Sequence, residues 1–207
     1  MVGHPTETDE DLCGIAEIAR NIREIAFKIN GKAGGRFRVT VSVSTFVPKP
    51  FTPFQWEPQD RPEELIRKHN YLKQRLKMKG IRYNYHETDV SVLEAVFARG
   101  DKRLGKVLMR AFELGCKLDS WTEYFRKDLW DKAFEQTGTA PEFYSCRKRS
   151  YGELMPWDII DCFVKKEYLI NENEKAKRAE ITRDCRLGCT GCGMNEKTVC
   201  KIGCIYA

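Results

Sequence analysis

The sequence predicts an α/β fold in which the last part of a parallel (β/α) barrel is followed by an α-helical region and a cysteine-rich, metal-binding tail. Three observations predict it. Helical and strand patterns alternate through the first 88 residues, the signature of parallel βα units. One strand carries an apolar face and a face of small polar residues, which suits a barrel with a polar lumen better than a sheet buried on both sides. Finally, five of the nine cysteines, Cys185, Cys189, Cys192, Cys200 and Cys204, fall near the C-terminus.

The opening "MVGHP" reads as the end of a strand. In the helical stretch that follows, Leu12, Ile15, Ile18, Ala19, Ile22, Ile25, Ala26 and Ile29 recur at helical spacing. Thr8 and Asp11 have capping-box spacing, acidic residues fill the first turn, and Gly31 stops the helix. "RFRVTVSVSTF" alternates strictly, with Phe37, Val39, Val41 and Val43 on one face and Thr40, Ser42 and Ser44 on the other. A proline-rich loop leads to a second helix opened by Pro62, then to the strand "IRYNYHE", with Ile81, Tyr83 and Tyr85 opposite Arg82, Asn84 and His86.

After residue 88 the pattern is helical: one or two helices broken near Gly100, another over "SWTEYFRKDLWDKAFEQTG", and a long charged one beginning near "MPWDIID". The expected organisation is a partial barrel over 1–88, a helical extension over 89–182 and a cysteine-rich tail over 183–207.

Composition narrows the setting. With 42% hydrophobic and 32% charged residues the chain is expected to fold in water. No apolar run approaches the roughly 20 residues of a membrane span, and the first residues lack a signal-peptide pattern, so the cytoplasm is the expected compartment. There, nine cysteines are not expected to form structural disulfides; Cys13, Cys116, Cys146 and Cys162 read as small buried hydrophobes. A net charge of +6 admits a nucleic-acid partner without requiring one. The six Lys and Arg of "RKHNYLKQRLKMKG", with Tyr71, Tyr83 and Tyr85 nearby, suit either RNA contact or the solvated face of an outer helix.

"MVGHPTETDEDL" and "VSVSTFVPKPFTPFQW" together resemble the second half of a radical S-adenosylmethionine (radical SAM) barrel. "ARGDKRL", "LMPWDIID" and "DCRLGCTGCG" resemble a B12-binding-type subgroup of poorly defined function that ends in a helical region and a cysteine-rich tail. His4 and Phe51 depart from that pattern, where an aliphatic residue and a histidine are common. The resemblance implies S-adenosylmethionine contacts at Gly3, Pro5 and Glu7, and adenine contacts at Phe46, Val47 and Pro48; Ser42 and Ser44 would face the lumen. It also implies that the catalytic [4Fe–4S] loop and any cobalamin domain belong to a missing N-terminal half. The chain is then expected to be a C-terminal fragment or a split-gene product, inactive alone and of unknown substrate, exposing apolar strand faces and so self-associating or requiring the missing half.

Cys185, Cys189 and Cys192 are spaced C-x3-C-x2-C, as in the catalytic triplet of that family, but they follow the helical region instead of a first strand. Thiolates are soft ligands, so the five tail cysteines are expected to hold an additional iron–sulfur cluster or a structural zinc. The competing reading is a metal-stabilised basic module that binds RNA or the ribosome.

Overall fold

The computed structural model describes residues 1–31 and 36–194. Its first helix, α1 (Asp9–Asn30), begins where the Thr8 hydroxyl accepts the Asp11 N–H and the Asp11 carboxylate accepts the Thr8 N–H at 2.8 Å. This satisfies two orphan donors of the first turn. Strand β1 (Val39–Val43) pairs in parallel with β2 (Ile81–Tyr85), Val39 opposite Ile81 and Val43 opposite Tyr85. Between them runs α2 (Pro62–Arg75), with Pro62 in its first turn and Lys73 and Arg75 in its last.

A third chain segment joins the sheet through one bridge. Val2 donates to the Ser44 carbonyl at 2.9 Å, and the Phe46 N–H donates to Val2 at 2.7 Å, in parallel sense. The spatial order is therefore Val2, β1, β2, the order of the sequence, with a helix in each connection. Among the described residues these strands form an open parallel sheet and not a closed barrel.

Leu12, Ala16 and Ala19 of α1 and Leu72 and Leu76 at the end of α2 pack on Val2 and Val43, with Val39, Val41, Ile81 and Tyr83 at the margin. The opposite face carries Thr40, Ser42, Ser44, Arg82, Asn84 and His86, all exposed. The apolar strand faces, expected to be exposed, are covered in part by the chain's own helices: Val43 is buried and Val39, Val41, Ile81 and Tyr83 are half-buried, while Phe37 and Tyr85 stay exposed. More exposed apolar surface lies on α1, where Ile18, Ile22, Ile25 and Ile29 are 62%, 44%, 54% and 75% exposed. Their helical spacing is real, but they form a second stripe, separate from the one that meets the sheet.

The geometry of α1 fixes where that second stripe points. Asp9 pairs with Arg67, Cys13 accepts from Arg75, and Arg20 donates to the Arg75 carbonyl, so these residues mark the flank toward α2. At about 100° per residue, Ile18, Ile22, Ile25 and Ile29 lie about a third of a turn from the sheet-facing stripe on the other flank. They look sideways along the helix layer, beyond the Val2 edge of the sheet.

The helical region contains α3 (Thr88–Ala98), α4 (Leu104–Glu113), α5 (Lys127–Gln136) and the short α6 (Pro141–Ser145). They enclose Val96, Val107, Ala111, Trp130, Ala133, Phe134 and Tyr144. The break near Gly100 separates two helices. The long last helix is replaced by α7 (Lys166–Lys177), twelve residues preceded by an irregular segment. Asp158 there accepts the Met155 N–H, and Phe163 sits at φ 64°, in the left-handed region a helix cannot continue through. A third core joins Trp56 of the proline-rich loop to Met155, Trp157 and Leu169.

Arg99, from the "ARGDKRL" stretch, is fully buried and donates to the Ser145 and Arg147 carbonyls at 2.6 and 2.9 Å. Arg149 in turn donates to the Arg99 carbonyl at 2.6 Å. Burial, with the neighbouring Arg149 and Arg147 charges, pulls the Arg99 pKa down to about 10, still protonated at neutral pH. Its hydrogen bonds are charge-assisted ties between α3 and the segment after α6.

Candidate functional site at the strand ends

The C-terminal ends of Val2, β1 and β2 converge on one side of the sheet, the place where parallel βα folds carry their ligands. Gly3 begins the first turn there at φ 91°, conformationally open only to glycine at low cost; a Cβ would also meet Leu65 Cδ2 at 3.2 Å and Asp60 Oδ2 at 3.3 Å. The Gly3 N–H donates to Glu7 Oε2 at 2.8 Å, closing the turn. Glu7 is also 3.0 Å from the Lys68 ammonium, which lies 2.7 Å from Asp60.

This Glu7–Lys68–Asp60 group is the main feature that motif reading missed. Lys68 is buried, although it lies in the basic stretch read as an outer helical face. Burial, the largest influence, pulls its pKa down; the hydrogen bonds it donates to Asp60 and Glu7, with their negative charges, more than offset this, so the net shift is upward. The signal was present: Leu65, Lys68, His69 and Leu72 form one i, i+3, i+4, i+7 stripe, and that stripe is the buried face of α2.

His69 belongs to the same stripe. Its Nδ1 lies 2.7 Å from the Tyr83 hydroxyl, its Nε2 3.4 Å from Thr45 Oγ1, and its ring stacks on Tyr85. Burial lowers its pKa and favours the neutral ring. At the mouth itself, His4 packs against Phe46 and Phe54 with ring centroids 4.9 and 5.9 Å away, and Phe46 meets Phe54 edge-on. His4 thus contributes an aromatic wall where an aliphatic side chain was expected, and burial, the main cause, lowers its pKa too.

The sequence-derived residues sort as follows. Gly3, Glu7 and Phe46 come together at the mouth, with Pro48 buried and Val47 partly buried behind them. Pro5 is exposed in the turn, and Ser42 and Ser44 lie on the exposed polar face of β1. The Glu7 carboxylate is engaged by Gly3 and Lys68, so its evident task is to hold the turn.

The proline-rich loop is anchored from below. Gln55 Oε1 accepts the Phe51 N–H at 3.0 Å and the Trp157 indole N–H at 2.7 Å, which explains why "LMPWDIID" and this loop go together. Phe51 occupies φ 58° there. Gln59 Nε2 reaches the Phe46 and Ser91 carbonyls at 3.1 and 3.2 Å.

In the tail, Cys185 opens a short 3-10 turn, Cys185–Leu187, and is exposed, as is Cys189; Cys192 is partly buried. The Gly191 N–H points at Cys189 Sγ, 3.4 Å away, and the Cys192 carbonyl accepts the Lys165 N–H. Among the described residues, no three His, Cys, Asp or Glu side chains are arranged to hold a metal ion. Cys200 and Cys204, the other two expected ligands, lie outside the described residues. The described cysteines offer the right donor chemistry but do not by themselves assemble a ligand set.

Among the described residues, no helix is long and apolar enough to cross a membrane. No family model matches the chain, and no solved structure matches it. An uncharacterized protein of Methanocaldococcus jannaschii is 32% identical over 108 residues, covering 52% of this chain. That stretch is 22% of the relative, so the chain spans less than a quarter of the length of the curated relative it matches.

Proposed function

We propose that this chain is the closing portion of a radical SAM barrel acting in the cytoplasm, with a helical brace and a tail that binds an iron–sulfur cluster or zinc through its cysteines. The observation that carries this reading is the combination of a sheet edge and a helix flank on the same side. Val2 has, among the described residues, no strand partner on its outer side, and α1 presents the isoleucine stripe in the layer where the helix of a preceding βα unit would lie. An added parallel strand and its helix would meet both features at once.

The exposed polar face of β1 and β2 supports the same reading, because it is the face a lumen would receive. S-adenosylmethionine, bound at a reduced [4Fe–4S] cluster supplied by the preceding half, would provide a carbon radical. The residues of this chain would position the cofactor: Gly3 by permitting close backbone approach, Phe46 and Pro48 by covering the adenine, Ser42 and Ser44 by lining the wall. Glu7, tied to Lys68, would keep the Gly3 turn rigid. Cobalamin, where used, would be held by residues outside this chain.

The test uses the M. jannaschii relative, which contains the matched stretch within a much longer chain. Purified without oxygen, it should contain iron and sulfide and cleave S-adenosylmethionine on reduction, whereas the present chain alone should not cleave it. A full-length relative free of iron and unable to cleave S-adenosylmethionine would overturn the reading.

A second reading has one observation in its favour. Arg36, Arg38, Lys79 and Arg82 border a groove of about 620 Å³ at the opposite end of the sheet. A binding module for RNA would use such a cluster, and its RNA affinity would fall steeply with added salt.

A further inference from the structure

The basic groove of about 620 Å³ lies where the strands begin, opposite the candidate site at their ends, and no acidic residue is among its described lining residues. Arg36 and Arg38 line it from the segment leading into β1, and Lys79 from the loop before β2. Arg82 and Thr40 line it from the strands themselves, where they stand opposite each other in register. All five are exposed to solvent.

These cations have no counter-charge. None of the four forms an ion pair among the described residues, and Arg36, Arg38 and Lys79 make no side-chain hydrogen bond there either. Arg82 Nε donates to Asn84 Oδ1 at 3.1 Å, which holds the guanidinium against the strand and leaves its Nη groups open. Exposed cations elsewhere are matched: Arg67 with Asp9 and Glu64, Arg103 with Asp101, Lys127 with Asp131. Helix dipoles do not account for the cluster. Lys28, Lys73 and Arg75 occupy the last turns of α1 and α2, where a cation offsets the open carbonyls, but the four groove cations belong to no α-helix. Like charges gathered on neighbouring strands repel, and a bound anion turns that repulsion into attraction.

From the groove, the polar face runs toward the strand ends as Thr40, Ser42 and Ser44 beside Asn84 and His86, all exposed. Thr40 to Ser44 is about 13 Å at about 3.3 Å per residue. The wall that leads away from the cations therefore carries hydroxyl, amide and imidazole groups.

We infer that this groove binds the phosphate of a small, elongated phosphate ester whose polar body lies along that face. A carboxylate brings one negative charge; a phosphate monoester brings about 1.5–2 and three acceptor oxygens, and a diphosphate brings more. The planar forks of Arg36, Arg38 and Arg82 suit such oxygens in pairs. The groove's volume is that of small-molecule sites. That the phosphate anchors a substrate whose far end reacts near Gly3 and Phe46 rests on the barrel reading; that the groove binds phosphate does not.

The experiment titrates the intact chain at low salt with inorganic phosphate, pyrophosphate, ribose 5-phosphate, succinate and a short single-stranded RNA, read by calorimetry and by backbone amide NMR. Pyrophosphate and ribose 5-phosphate should bind more tightly than succinate and shift the amides of Thr40, Gly80 and Arg82. Ribose 5-phosphate should also shift Ser42 and bind at least as tightly as inorganic phosphate. R38Q and R82Q, both at exposed positions, should each weaken pyrophosphate binding about tenfold. K77Q removes the same charge from an exposed position outside the groove and should change binding less than about threefold. The shifts in the parent chain locate the site without any variant.

No binding of the small phosphates, shifts spread over the whole basic surface, succinate binding as tight as that of pyrophosphate, or equal losses in K77Q and R82Q would overturn the inference. Weaker binding of ribose 5-phosphate than of inorganic phosphate would overturn the polar body. RNA binding tighter than that of either small phosphate would overturn the small ester and favour the RNA module. None of these arms needs an iron–sulfur cluster, so a failure here leaves the barrel reading standing, and a failure of cleavage by the relative leaves the phosphate site standing.

Discussion

The isoleucine flank of α1 gives the sharpest test of the architecture. Ile18, Ile22, Ile25 and Ile29 keep 62%, 44%, 54% and 75% of their surface in water. Together this equals a little over two fully exposed isoleucines, worth about 5 kcal/mol at about 2 kcal/mol for each side chain buried. Two copies meeting flank to flank would hide both stripes, about 10 kcal/mol, against an association cost of about 4–15 kcal/mol. With a cost of about 5 kcal/mol, toward the low end of that range, about −5 kcal/mol remains, so the isolated chain should self-associate weakly and reversibly with a Kd of about 0.1–1 mM. The perturbation is I22E/I25E, measured by sedimentation velocity across that range, with thermal unfolding in parallel. The double variant should be monomeric and as stable as the parent within about 1 kcal/mol, since both side chains are exposed and Glu has the better helix propensity. A parent that stays monomeric at about 1 mM would refute the flank as an interface. A variant that fails to fold would show instead that the stripe packs within the chain.

Two further outcomes follow from the strand-end groups. K68M leaves the buried Glu7 and the partly buried Asp60 without their cation and should lower stability by about 3–5 kcal/mol, with K68M/E7Q recovering part of the loss in urea unfolding; an unaffected K68M would mean the ion group is solvated and idle. The His69 pKa is lowered in the folded chain, so the unfolded chain takes up the proton first: the contribution is complete above about pH 6.5 and is lost as pH falls through the lower folded value. Unfolding free energy should therefore drop between pH 7.5 and 5.5, and H69Q should flatten the part of that slope not due to His4; an identical slope in H69Q would disprove the assignment.

Local rules were legible where the chemistry is local. The Thr8–Asp11 box, the start of α2 at Pro62 and the polar and apolar faces of β1 are decided within a few residues, and the sheet has them as expected. The α1 pattern was legible as helix but not as two stripes, because apolar spacing says which residues share a flank and not which flank finds a partner. Lys68 and His69 were hidden by composition: a window rich in Lys and Arg reads as solvated, while the i, i+3, i+4 relation to Leu65 and Leu72 places these two on the buried side. The segment before α7 carries apolar residues at a density that suits a helix, yet Ile159 and Ile160 are exposed and Trp157 is turned toward Gln55. That choice is made by a contact 102 residues away, beyond the reach of any local window.

The same contact bears on how the two ends of the chain cooperate. Phe46 and Pro48, the positions implied for adenine, sit at the head of a loop with little regular structure of its own. What fixes it comes from outside: Trp157 through Gln55, Ser91 through Gln59, Ser145 accepting from the Gln59 N–H, and the Arg149 N–H donating to the Trp56 carbonyl. Arg99 and Arg149 then clamp the segments that deliver these groups. Each of these bonds is worth only about 1 kcal/mol, but they converge on some fourteen residues and remove alternatives that prolines alone leave open. The helical region is therefore a brace for the mouth of the sheet.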